Sequence, residues 1–389
     1  MTFFLMTSAA VAPLRAQQKS AAWPAFVREL DSVVAQDSIA GAAALHIRDG
    51  KIVARYETGL ADRERGQRID SATIFHYGSI TKTLTAIAIM QLRDRGRLTL
   101  DDAVTRYLPE LRQVHNAHGS MDSITIRMLL SHSAGFQNPT WPYGRGRAWE
   151  PFEPTRWEQL VSMMPYQEIR FRPGSRYGYS NPAFIYLARI IEQLTGDPWA
   201  SYIQKNIFAP LGMARSYFGT TPYHLAHDRS NSYTVIRDSA GRERLVANGR
   251  EFDPGITIPN GGWNAPLGDL VTYAGFLTGA TGGSKATAAR YDLVLPRQTL
   301  EEMWRAIVPV DPGTSGSESV GLGFFLQGGP EGLVVGHTGE QSGFRASIQL
   351  NPATRTAVIY AVNGTNDARG EESARSWRRL LGRAVAVIR

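Results

Sequence analysis

Runs that read as β-strand sit at both ends of this chain, and helical patterns fill the stretch between them. A sheet face has to be buried against another layer, so such a chain is expected to build one sheet from both ends and insert the helices between. Near the start, "AGAAALHIRDGKIVARYETGLAD" (40–62) holds two β-capable runs around Asp49-Gly50, and Asp-Gly between such runs is a strong hairpin signal. After about residue 290, "SVGLGFFLQ", "GLVVGHTG", "FRASIQLNP" and "TAVIYAVNG" are short alternating or apolar runs separated by Gly, Pro and Asn turns. The chain closes on "EESARSWRRLLGRAVAVI", the pattern of an amphipathic helix.

Between about 106 and 285, helical patterns such as "SITIRMLLSHSAG", "PAFIYLARIIEQLTG" and "WASYIQKNIFAPLG" alternate with long loops rich in Gly, Pro and aromatics. "GATGGSKATAA" (279–289) reads as a surface loop. At 389 residues the chain exceeds the ~250–300 residues at which single cores stop growing. The expected fold is therefore α/β of the α+β type in two lobes. Residues 21–105 and 286–389 form an antiparallel sheet flanked by helices, and residues 106–285 form an inserted, mostly helical lobe. The cleft between lobes is where a site is expected.

Composition narrows the function. No run of roughly 18 apolar residues is present, so no integral membrane segment is expected. Basic residues outnumber acidic ones by 42 to 35, but they are dispersed and almost all arginine. The lysines are Lys19, Lys51, Lys82, Lys205 and Lys285. Without a compact basic patch, no nucleic-acid partner is expected. The absence of cysteine removes disulfides, thiolate metal sites and cysteine nucleophiles together. "HNAH" (115–118) and "HLAHD" (224–228) lack a third ligand at useful spacing, so no metal is expected. The start "MTFFLMTSAAVAPLRAQQ" has an apolar centre of signal-peptide length and small residues at Ala10, Ala12 and Ala16, without a basic leading segment. Residues 1–20 read as an export signal or a frayed terminus outside the fold, which gives an exported (periplasmic or secreted) protein or otherwise a cytoplasmic one.

Three short patterns carry chemistry. In "HYGSITKTLTAIAIMQL" (76–92), Ser79 and Lys82 stand three apart at the mouth of a helix that is apolar on all sides and so should be buried. Residues i and i+3 share a helix face. Serine needs an adjacent base, and burial lowers a lysine pKa by up to ~3–5 units, enough to supply one. In "FRPGSRYGYSNPAFIYLARIIEQLTG" (171–196), Tyr179 and Asn181 flank Ser180 just before a helix, and in an extended segment they point the same way. In "GHTGEQSGF" (336–344), His337, Thr338 and Gly339 would lie on an edge strand beside the cleft, with Gly339 allowing close backbone approach. Each pattern alone also has an ordinary structural reading: Ser79 as a helix cap with Lys82 reaching solvent, Asn181 as a cap, and a strand end with turn glycines. "SHSAG" (131–135) is one residue short of a Gly-x-Ser-x-Gly nucleophile elbow and sits in a helical pattern rather than after a strand. "NPTWPYGRGRAWEPFEP" (138–154), with Trp141, Tyr143, Trp149 and Phe152, is expected to border the cleft, as is "IPNGGWNAPLGDL" (258–270).

In order and spacing, Ser-x-x-Lys at 79–82, Tyr-Ser-Asn at 179–181 and His-Thr-Gly at 337–339 together resemble the serine β-lactamase and penicillin-binding-protein superfamily. "LLSHSAGF" (129–136), "FRPGSRYGYSN" and "IIEQLTG" are similar to its branch of class C β-lactamases, family VIII carboxylesterases and D-amino-acid amidases or peptidases. The resemblance covers roughly residues 24–365. It implies a β-lactamase/transpeptidase-like fold and a serine hydrolase with no metal or organic cofactor. By the same resemblance Ser79 is the acylated nucleophile, Lys82 its base, and Tyr179 a partner in the base role that protonates the leaving group. Asn181 positions substrate, the amides of Ser79 and Glu340 form an oxyanion hole, and Thr338 contacts the substrate. The chain departs from the family at His337. Members that hydrolyse β-lactams or D-Ala-D-Ala peptides typically carry lysine there, and a neutral histidine leaves substrate-carboxylate recognition to Arg345. The expectation is therefore a small-molecule ester or related amide as substrate. A class C-like β-lactamase, a D,D-peptidase or a D-amino-acid amidase is the alternative. A non-catalytic scaffold binding peptidoglycan or a protein is a third reading.

Overall fold

The computed structural model describes residues 11–136, 154–311, 318–329 and 331–389, with side chains from residue 21 onward. In chain order, helix α1 (Val11–Gln36) leads into the hairpin β1 (Gly41–Arg48) and β2 (Lys51–Asp62). Helix α2 (Thr81–Asp94) and helix α3 (Asn181–Thr195) follow. Strands β3 (Val334–Gln341), β4 (Phe344–Asn351) and β5 (Thr356–Val362) and helix α4 (Gly370–Ile388) come last.

The hairpin forms where Asp49-Gly50 predicted it, with both residues at positive φ (49° and 73°), as a two-residue turn matched to strand twist requires. β1 then pairs antiparallel with β5, from Ala42↔Val362 to Arg48↔Thr356, which joins the two ends of the chain. Among the described residues one sheet holds nine strands in the order Gln67–Arg68, β2, β1, β5, β4, β3, Phe325–Gln327, Ser319–Val320 and Val308–Pro309. All its neighbours run antiparallel.

Because strand side chains alternate in direction, the sheet feeds two cores. Ala42, Ala44, Val358 and Tyr360 pack against Phe26 and Leu30 of α1 and Trp377 and Leu380 of α4. Ala43, Leu45, Ile359 and Ala361 face the larger core that contains α2. Every residue of α2 from Thr81 to Leu92 is buried, so its polar side chains need partners within the protein. Thr81 Oγ1 donates to Gly78 O at 2.6 Å, Thr83 Oγ1 to Ile80 O at 2.7 Å, and Gln91 Nε2 to Val294 O at 2.7 Å. Among the described residues no helix is long and apolar enough to cross a membrane.

Three local expectations change. The middle of the chain carries strands as well as helices. The hairpin Ser232–Arg237 and Glu243–Gly249 is joined by Gly364–Asn366, and Trp263–Pro266 lies between Ile74–His76 and Tyr217–Phe218. Residues 279–289 are not all loop, because Ser284 accepts from Thr287 N at 3.2 Å and opens a helix at Lys285. Finally, β3 is not an edge strand along its whole length. Val334, Val335 and Gly336 pair with Gln327, Leu326 and Phe325. From His337 to Gln341 only β4 pairs with it among the described residues, and this open edge faces the turn that carries Ser79.

Candidate active site

Glycine makes the meeting of turn and strand close. A Cβ on Gly339 would lie 1.9 Å from Tyr77 O and 3.1 Å from Ser79 N. Gly78 takes a φ of +48°, and a Cβ there would lie 2.8 Å from Glu340 N. The backbone of the 77–79 turn thus touches the backbone of β3 directly, with the amides of Ser79 and Glu340 side by side at the mouth of a cleft. Among the described residues the Ser79 N–H has no backbone acceptor. Two backbone amides brought this close at the mouth of a cleft are suited to an oxygen that gains negative charge.

Ser79 does not cap α2: the cap position is Ile80, with no side-chain cap bond. Nor does Lys82 reach solvent, being fully buried. Its Nζ lies 3.0 Å from Ser79 Oγ, donates to Asn260 O at 2.8 Å, and stands 4.9 Å from the centroid of the Tyr179 ring. Burial alone holds the amine well below its usual pKa of 10.5, and among the described residues no carboxylate pairs with it. A buried amine without a counter-charge favours its neutral form, which accepts a proton.

Tyr179 is half-buried beside Ser79. Loss of water around the phenol pushes its pKa up, and the nearby Ser79 hydroxyl opposes this in part. Ser180, not Asn181, caps α3, accepting from Ala183 N. Tyr179 and Asn181 line different arms of the cleft, both of which reach Ser79. Asn181 lines a polar arm of about 710 Å³, and Tyr179 lines a more aromatic arm of about 460 Å³ with Tyr177, Phe325, Tyr360 and Trp377. Ser79 and Glu340 border both.

His337, Thr338, Gly339 and Arg345 all line the aromatic arm. The His337 ring is buried, with Nδ1 2.5 Å from Thr338 O. Since a carbonyl can only accept, Nδ1 carries the proton and donates. Burial, then the nearby Lys82, lowers the His337 pKa to about 3, against the opposing hydrogen bond to Thr338. The ring is therefore neutral at ordinary pH, as expected from the sequence. Arg345 is not a free cation: its Nε donates to Glu340 Oε2 at 2.5 Å, and its guanidinium lies 4.9 Å from the Trp377 ring.

The sequence reading did not find His132. Its ring stacks on Tyr179 at 4.4 Å between centroids, and its Nδ1 accepts from Ser180 N at 3.1 Å. His132 also adopts a φ of +54°, which is uncommon outside glycine. It lies within "SHSAG", but its contacts are to residues 48 positions away, which spacing alone does not reveal. Asn260 falls within the segment expected to wall the cleft and supplies the carbonyl that receives Lys82. Of the aromatic stretch 138–154, residues up to 153, including Trp141, Tyr143, Trp149 and Phe152, lie outside the described residues.

An antiparallel sheet that presses a His-Thr-Gly strand against a Ser-x-x-Lys helix defines the serine β-lactamase and penicillin-binding-protein class of folds. The chain belongs to the Beta-lactamase family, whose model matches residues 26–383. Esterase EstB of Burkholderia gladioli is 31% identical over 253 residues, which cover 60% of this chain and 63% of that protein. Protein flp of Staphylococcus aureus is 27% identical over 52% of this chain and 40% of its own length. The chain thus spans less than two thirds of these curated relatives. Among solved structures, the octameric penicillin-binding protein homologue from Pyrococcus abyssi superposes with a TM-score of 0.72 at 26% identity, covering 92% of this chain and 77% of that one. A D-stereospecific amidohydrolase from Streptomyces sp. gives 0.68 at 25% identity, over 90% and 97% of the two chains. A class C beta-lactamase gives 0.70 at 19% identity over 98% of each, a likeness of fold.

Proposed function

We propose that this protein is a serine hydrolase that cleaves carboxylic esters or related amides of small molecules through an acyl-enzyme. The observation that carries this reading is the fully buried, carboxylate-free Lys82 at 3.0 Å from Ser79 Oγ. Ser79 Oγ attacks the carbonyl carbon while its proton passes to Lys82 Nζ, and the tetrahedral oxyanion sits between the amides of Ser79 and Glu340. Tyr179, which lines the cleft beside Ser79 and Lys82, relays the proton to the leaving oxygen or nitrogen as the scissile bond breaks. Water then attacks the acyl-enzyme, giving its proton back through the same groups and releasing the acid. Asn181 positions the acyl portion, and Thr338 and Gly339 line the exit of the leaving group. None of these steps needs a cofactor.

The ester reading is favoured over the β-lactam one by charge. With His337 neutral, Arg345 paired to Glu340 and Arg378 paired to Glu371, no unpaired cation lines the aromatic arm among the described residues. The name of the EstB relative points the same way. A D-amino-acid amidase or D,D-peptidase is the second reading, favoured by the likeness to the Streptomyces D-stereospecific amidohydrolase. A non-catalytic scaffold would not need the buried amine. Export, periplasmic or secreted, remains the proposed location.

The test is side-by-side hydrolysis of a short-chain p-nitrophenyl ester and a chromogenic cephalosporin by wild type and Ser79→Ala. Ester cleavage that disappears in the variant, with slow cephalosporin turnover, is the expected result. Faster turnover of the cephalosporin would move the protein to the β-lactamases, and silence on both would overturn the ester reading and leave a narrow peptidase or amidase or a non-catalytic scaffold. His132 is expected to act as a positioning residue for Tyr179. His132→Ala should lower kcat about tenfold with little change in KM, since a misplaced proton donor affects the transition state more than binding. His132→Asn, which tolerates positive φ and retains an acceptor, should recover part of the loss. Equal losses in both variants would assign His132 to packing alone.

A further inference from the structure

The aromatic arm has a wall that is held from outside the cleft. Tyr177 and Phe325 form one part of it, edge to face at 6.2 Å between centroids. Tyr360 and Trp377 form another, stacked at 6.4 Å. The Arg345 guanidinium, 4.9 Å from the Trp377 ring, belongs to the same lining. Among the described residues the polar arm has Phe252 as its one aromatic side chain. Tyr179 lines the aromatic arm and not the polar one. On the hydrolase reading, on which this inference rests, the leaving group that Tyr179 protonates therefore departs through the aromatic arm.

The Trp377 indole is anchored by a residue that lines neither arm. Its Nε1 donates to Asp37 Oδ2 at 3.0 Å. Asp37 directly follows α1 and is fully buried. Ser373 Oγ donates to the same oxygen at 2.6 Å, and Arg369 Nη1 to Oδ1 at 2.5 Å. Ser373 and Trp377 stand four apart on α4 and so share a helix face, which lets one carboxylate hold both. Without Asp37 the buried indole N–H would lose its acceptor, an unfavourable state that a rotation of the ring toward another acceptor would relieve. A rotated indole would no longer present the ring on which Arg345 and Tyr360 pack.

We infer that Trp377 selects an aromatic leaving group and that Asp37 is the positioning residue that holds Trp377 in place to do so. Aromatic rings gain from contact with other rings and with a cation beyond the burial of area, so the arm distinguishes a planar ring from a saturated one of similar size. Hydrolysis adds water across the ester C–O bond and releases the acid and an aryl or arylmethyl alcohol.

The test compares benzyl acetate with cyclohexylmethyl acetate by following release of each alcohol. Both give the same acetyl-enzyme and both leaving alcohols are primary, so a difference in kcat/KM arises in acylation, while the alcohol still occupies its arm. Wild type is expected to favour the benzyl ester about three- to tenfold, the range for aromatic contacts. Trp377→Leu should bring the ratio close to one, and Asp37→Ala should do the same from outside the cleft. Asp37→Asn, which keeps an oxygen for the indole, should retain most of the ratio while lowering the melting temperature through the broken ion pair with Arg369. If Asp37→Ala does not fold, Asp37→Ala/Arg369→Leu removes both charges together and is read in the same way. A ratio unchanged in these alanine variants, with only the melting temperature lowered, overturns the positioning role of Asp37. A wild-type ratio near one, or a ratio that survives Trp377→Leu, overturns the aromatic selection. Ser79-dependent cleavage of either ester keeps the hydrolase reading in each of those cases, whereas no such cleavage of both overturns the inference together with the ester reading.

Discussion

Lys82→Ala is expected to remain folded and to lose ester turnover by about 10²–10⁴-fold in kcat, the usual contribution of a positioned base. The wild-type rate should fall on acidification as the amine takes up a proton, and the midpoint should lie well below the usual lysine pKa, because burial holds it there. The stability of the protein follows the same group with a definite sign. Unfolded, Lys82 binds a proton up to about pH 10.4; folded, it releases that proton at lower pH. Between those two values the unfolded chain holds more protons, so stability rises with pH. Below the folded value the penalty is constant. Lys82→Met should therefore be inactive yet melt at a higher temperature than wild type at neutral pH, an exchange of stability for activity. Near-normal kcat in Lys82→Ala would remove lysine from the mechanism. A lower melting temperature in Lys82→Met would show that the buried amine is not a strained feature.

Gly339→Ala should be nearly as damaging, although it adds one methyl group. The new Cβ would stand 1.9 Å from Tyr77 O and 3.1 Å from Ser79 N. Both are backbone atoms that no rotamer change can move, so β3 and the serine turn must separate. The two amides then no longer converge on one oxygen, and removing one oxyanion donor typically costs about 10²–10³ in kcat. Steady-state kinetics and circular dichroism check this together. Full activity in a folded Gly339→Ala would mean that the amides of Ser79 and Glu340 are not the oxyanion site.

Much of this arrangement was legible in the sequence because it depends on local rules. Asp49-Gly50 allows few turns, the apolar run after Ser79 permits only a buried helix, and a three-residue spacing sets Lys82 beside Ser79. The strands Ser232–Arg237 and Glu243–Gly249 were missed because the second is exposed along almost its whole length, so it lacks the apolar alternation by which strands are read. The partners that tune the site were also not legible. The Asn260 carbonyl that receives Lys82, the His132 ring beneath Tyr179 and the Glu340 carboxylate that occupies Arg345 depend on where distant or neighbouring groups settle once the chain is packed. The difference between the two arms that reach Ser79 is likewise a property of assembled walls.

The pairing of β1 with β5 has a consequence for how the protein is made. Asp49 and Arg355, whose side chains form an ion pair at 2.5 Å at the end of this pairing, are 306 positions apart. A ribosome adding about 5–20 residues per second takes roughly 15–60 s to reach β5 after completing β1. Throughout that time the β1–β2 hairpin presents an unpaired, apolar edge, the kind that seeks other strands. Contacts this distant also make for slow folding. The nascent chain is thus committed to a long period without its central sheet, during which a holding chaperone has a ready target and a truncated product has no route to a native core.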